Sequence, residues 1–66
     1  MIVTFISHID SINEDKRIRF ISKPGGYTIP ESPEDIEESI RQAFSQGLPI
    51  EITYDDATFM IQDAKL

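Results

Sequence analysis

The sequence predicts a small α+β domain, a two-layer β-β-α-β-β arrangement in which one helix packs on a single face of a four-stranded antiparallel sheet. Three observations carry that reading. A punctuated amphipathic stretch occupies residues 33–46, two alternating apolar runs follow it around Asp55-Asp56, and two β-rich runs, residues 2–9 and 17–20, precede it. A small half-open barrel with one helix is the alternative. At 66 residues the chain makes one domain (1–66), which buries only about 60% of the surface its unfolded form exposes. With no cysteine, stability has to come from one small core or from self-association.

In residues 2–9 the side chains are mostly β-branched or aromatic, and apolar groups fill both alternation phases: Val3, Phe5 and Ile9 in one, Ile2 and Ile6 in the other. A strand apolar on both sides is expected to be central or covered twice. The polar residues 10–15 read as a loop, after which Ile18 and Phe20 alternate with Arg17 and Arg19. Lys23-Pro24-Gly25-Gly26 is a turn, and residues 27–29 form a short extended piece before Pro30.

The helix is specified at both ends. Ser32 is the expected N-cap, Pro33 suits the first helical position, Asp35 stands where it can reach back to the cap, and Gly47 supplies a left-handed stop. Between them Ile36, Ile40, Ala43 and Phe44 fall on one stripe. Acids crowd the first turns, and Glu37 can pair with Arg41 one turn on. After the helix, a two-residue loop at Asp55-Asp56 pairs Tyr54 with Ala57, Ile52 with Phe59 and Ile50 with Ile61, so that all six share a face; Asp-Asp is a weak primed turn, which leaves a longer loop open.

The expected core is Val3, Phe5, Ile18, Phe20, Ile50, Ile52, Phe59 and Ile61 with Ile36, Ile40 and Phe44 of the helix. Left outside are Ile2, Ile6, Ile21 and Met60, mixed with Thr4, Arg17, Arg19, Glu51, Thr53 and Thr58. A partly apolar uncovered sheet face marks an interface.

Twelve acidic against six basic residues give a formal charge of −6, which repels a phosphate backbone, so direct nucleic-acid binding is not expected. The charge is polarised: Lys16, Arg17, Arg19 and Lys23 cluster in one segment, and acids gather at residues 31–38 and at Asp55, Asp56 and Asp63. Residues 1–9 are too short for a bilayer span and lack the basic flank of a secretory signal. The expectation is a cytoplasmic protein, away from membranes, starting at its own initiator methionine.

No spacing in the chain assembles a catalytic, cofactor or metal site. Ser7 and His8 are adjacent on a strand and point to opposite sides, which argues against a nucleophile and base pair. Glu37-Glu38 and Asp55-Asp56 lack the frame of a calcium loop. Lys23-Pro24-Gly25-Gly26 lacks the Lys-Ser/Thr and the following helix of a phosphate loop. The sequence therefore points to a non-enzymatic interaction or regulatory module. Its partner is another protein, met by the outer sheet face (Ile6, Arg17, Arg19, Ile21, Met60) or by the acidic helix face (Glu34, Glu37, Glu38, Arg41), with a homodimer through the outer sheet face as one form of that contact. Two alternatives stand beside it. One is a phosphate-mimicking inhibitor of a nucleic-acid-binding protein; the other is a small subunit of a larger assembly.

Overall fold

The computed structural model describes Met1–Leu66. It contains six strands and one helix in the order β1 (Ile2–Ser7), β2 (Ile9–Ile12), β3 (Arg17–Phe20), β4 (Gly26–Thr28), α1 (Glu34–Gln46), β5 (Ile50–Asp55) and β6 (Met60–Lys65). All six strands belong to one sheet, ordered β1-β5-β6-β4-β3-β2. The pairings are antiparallel except β4 with β6, which is parallel, so the α+β class holds while the expected four-stranded antiparallel sheet does not.

Two local features account for the extra strands. Residues 9–12 continue the first run instead of looping away, because Ile9 and Ile12 pair with Phe20 and Ile18 of β3. The loop shrinks to residues 13–16, where Asn13 Oδ1 accepts the N–H groups of Asp15 and Arg17, both at 3.0 Å. The short piece at Gly26–Thr28 joins the sheet between β3 and β6.

Only His8 separates β1 from β2, yet these strands stand at opposite ends of the sheet. Laid flat, five strand spacings would separate them by about 24 Å, so the sheet has to curl until its ends meet at His8. The curl is what gives so short a chain an inside. One cluster of thirteen buried residues fills it: Ile9, Ile18, Phe20, Tyr27, Ile29, Ile36, Ile40, Ala43, Ile50, Ile52, Tyr54, Ile61 and Ala64, with Val3, Phe5 and Ile12 half-buried against them. Within it Phe5 meets Phe20 edge-on at 4.9 Å between centroids and Tyr27 meets Tyr54 at 4.8 Å, the edge-to-face geometry that aromatic quadrupoles favour.

The helix starts one residue later than expected, and its N-cap is Pro33 in extended geometry (φ −73°, ψ 152°), with no side-chain cap bond. Ser32 therefore lies outside the helix and does not cap it. The C-terminus is as expected. Gly47 adopts φ 66°, its N–H donates to the Phe44 carbonyl at 3.3 Å, and Leu48 N–H donates to the Ala43 carbonyl at 2.9 Å, the paired bonds of a Schellman stop. α1 packs chiefly against β6 and β2, and a narrow stripe of Ile36, Ile40 and Ala43 is buried. Phe44, one residue beyond that stripe, stays 46% exposed rather than joining the core.

The last hairpin departs from its expected register. Tyr54 pairs with Ile61 and Ile52 with Ala64, with a bulge beside Thr53. The loop takes four residues, 56–59, closed by Phe59 N–H donating to the Asp55 carbonyl at 2.7 Å. Phe59 sits at φ 59°, a conformation outside the strand, so it is 43% exposed instead of core. Its ring still lies 5.7 Å from that of Tyr27 and 6.1 Å from that of Tyr54. Ile50, Ile52, Tyr54 and Ile61 do face inward together.

Candidate functional site

β3 alternates strictly: Ile18 and Phe20 are buried, and Arg17 and Arg19 project outward. On that outer side a cleft of about 220 Å³ is lined by Ser11, Asn13, Arg17, Arg19 and Gly26. Register pairing builds it, because Arg19 stands opposite Ser11 on one side and Gly26 on the other. A Cβ at Gly26 would sit 3.4 Å from Nη2 of Arg17, so the glycine leaves room for the guanidinium against the β4 backbone. Since the carbonyl oxygen of Asn13 is already occupied by two backbone N–H groups, its amide nitrogen is the group it has left to offer. The lining thus combines two guanidinium groups, an amide donor and a hydroxyl, and contains no carboxylate.

The six cationic side chains are used differently. Lys16 and Arg41 both bind Glu37, at 3.2 and 2.8 Å, and Lys65 approaches Asp63 at 3.8 Å. The Lys23 ammonium lies over the rings of Phe5 and Tyr54, at 5.3 and 5.7 Å, where the ring faces attract it. Arg17 and Arg19 form no salt bridge, in a chain with twelve acids.

A second cleft, of about 250 Å³, runs along the helix and is lined by Lys16, Glu31, Glu34, Glu37, Glu38 and Arg41. It brings together all the expected helix-face residues. Its charge is partly cancelled, because both oxygens of Glu37 are engaged by cations. The Arg41 hydrogen bond and then that of Lys16 hold the Glu37 carboxyl below the usual carboxylate range.

The expected sheet-face residues do not form one patch. Arg17 stands in register with Thr28, Thr28 with Met60, Met60 with Asp55 and Asp55 with Ile2, which makes one row across the outer surface. Ile6 belongs to another row with Glu51 and Lys65. Ile21, 68% exposed, flanks the bend, where its N–H donates to the His8 carbonyl at 3.0 Å. His8 is exposed there, and Ser7 Oγ donates to its backbone carbonyl at 2.9 Å, not to its ring. Ser11, Asn13 and Gly26 escaped sequence reasoning. Asn13 alone carried a signal, as the Asx residue of a turn.

With β1 and β2 taken as one bent strand, the ladder becomes a five-strand circuit in which the third and fifth strands are parallel and the helix lies between the third and fourth. No family model, no curated protein and no solved structure matches the chain.

Proposed function

We propose that this protein is a small interaction module that takes an acidic segment of another protein in the cleft formed by Ser11, Asn13, Arg17, Arg19 and Gly26. The observation that carries the reading is the pair of adjacent outward guanidinium groups left without a carboxylate in a chain of net charge −6. Guanidinium forks match carboxylates in bidentate geometry, and a lining of donors suits a ligand that only accepts.

Two features favour an acidic peptide over nucleic acid. Sequence-tolerant binding of single strands relies on aromatic rings for base stacking, and the cleft has none, because Phe20 and Tyr27 are buried on the other side of β3 and β4. The net charge also opposes a long phosphate chain more strongly than a short acidic stretch. The helix cleft supports the phosphate-mimicking alternative less well, since Lys16 and Arg41 neutralise Glu37 at its centre.

Titration with a short Asp/Glu-rich peptide, followed by amide chemical shifts, tests the reading. Shifts are expected at Ser11, Asn13, Arg17, Arg19 and Gly26, should fade with added salt, and should vanish in the Arg17→Gln/Arg19→Gln double variant. A peptide that shifts nothing there overturns the proposal. An oligonucleotide of equal charge that binds the cleft more tightly would replace the protein partner with nucleic acid, and a Lys-rich peptide perturbing Glu34 and Glu38 instead would revive the mimic.

A further inference from the structure

We propose that β1 is a self-pairing edge through which two copies of this chain join antiparallel, with Thr4 on the two-fold axis. β1 forms a single ladder, with β5, and stands at one end of the sheet. The phase of that ladder is fixed by Asp56 N–H donating to the Met1 carbonyl at 3.0 Å. Antiparallel residues alternate between bonded and non-bonded pairs, so the backbone groups of Val3, Phe5 and Ser7 address β5. Those of Ile2, Thr4 and Ile6 are directed at the open edge.

The two terminal strands treat their open edges differently. β2 is four residues long, carries Asp10 and is broken by a register shift between Ile9 and Ser11, devices that discourage a further strand. β1 is six residues of unbroken register with no charge and no proline. It also exposes 56% of Ile2 and 65% of Ile6.

The pattern of β1 is complementary to itself. Pairing about Thr4 sets Ile2 opposite Ile6 of the second copy, Thr4 opposite Thr4, and Ile6 opposite Ile2. These are the three residues whose backbone groups face outward, so each pair exchanges two hydrogen bonds. The apolar pairs repeat by symmetry, as an isologous contact requires, and cross-strand isoleucine contacts add to the ladder. No backbone bond from another segment reaches the open side of Ile2, Thr4 or Ile6; beyond them Ser22 N–H donates to Ser7 Oγ at 3.1 Å and Ile21 N–H to the His8 carbonyl at 3.0 Å. None of the paired residues lines the cleft on β3, so the contact stands apart from the acidic-peptide reading.

Sedimentation equilibrium at low and high salt, joined to amide exchange, decides the matter. The expected result is a species of twice the 7.5 kDa chain mass that strengthens with salt, because screening relieves repulsion between two chains of charge −6. The Ile2, Thr4 and Ile6 amides should exchange slowly and become fast on dilution, while Val3 and Phe5 stay slow throughout. Thr4→Lys sets like charges opposite each other at the axis and should weaken the dimer about fivefold, whereas Arg17→Gln/Arg19→Gln should leave it unchanged. A monomer at every salt and concentration overturns the proposal. So does a dimer in which those three amides exchange fast, or one that a folded Thr4→Lys variant, with Val3 and Phe5 still protected, forms equally well.

Discussion

Glu37 and Tyr27 couple the protein to pH from opposite ends of the scale. Lys16 and Arg41 stabilise the ionised Glu37 and lower its pKa below the ordinary 4.5. A depressed carboxyl contributes stability that is present above its unfolded pKa and is lost as pH falls through the folded one. Glu37→Gln should therefore lower Tm at neutral pH, with the difference shrinking as pH falls past 4.5 and closing only below the depressed folded pKa, which thermal melts across the acid range would check. Tyr27 is buried, with its hydroxyl donating to the Pro24 carbonyl at 3.3 Å. Burial, aided by the neighbouring Tyr54 hydroxyl, pushes its phenol from 10.0 up to about 12. The folded state holds that proton longer than the unfolded chain does, so the contribution is complete below pH 10 and erodes between 10 and about 12. Tyr27→Phe should flatten this alkaline fall, read from denaturant midpoints against pH.

At the scale of elements, legibility followed the range of the interactions. The helix C-terminus was readable because its physics is local. Gly47 at φ 66° has nothing within 4 Å of where a Cβ would stand, so Gly47→Ala should destabilise by about 1 kcal/mol through backbone strain alone, measurable by urea unfolding. The N-terminus misled, because Ser32 has the chemistry of a cap while Pro33 occupies the cap position. β3 was readable from strict alternation, and that alternation placed Arg17 and Arg19 outside. The β5–β6 loop was not, since Asp55-Asp56 lacks a glycine to force a two-residue turn and Phe59 takes the positive φ that closes a longer one. Of the cleft, the arginines were legible from one strand. Ser11 and Gly26 were not, because they belong to the strands on either side.

For the whole molecule, charge and shape make separable predictions. Acidic peptide held by Arg17 and Arg19 should dissociate as salt rises, whereas β1 pairing between two chains of charge −6 should strengthen. Parallel titrations of peptide binding and of solution mass against salt should therefore move in opposite directions; a common direction would show that one surface serves both. The residue pattern by itself determined the α+β class, the helix with its stop at Gly47, the inward phase of Ile18, Phe20, Ile50, Ile52 and Tyr54, and the outward arginines. Each depends on periodicity or on a few neighbouring residues. Tertiary structure decided the six-stranded order, the parallel β4–β6 contact, the curl that brings β1 and β2 together at His8, and the cleft between β2, β3 and β4. Those features depend on pairing between segments far apart in the chain, and a pattern of alternation names the face of a strand without naming its neighbour.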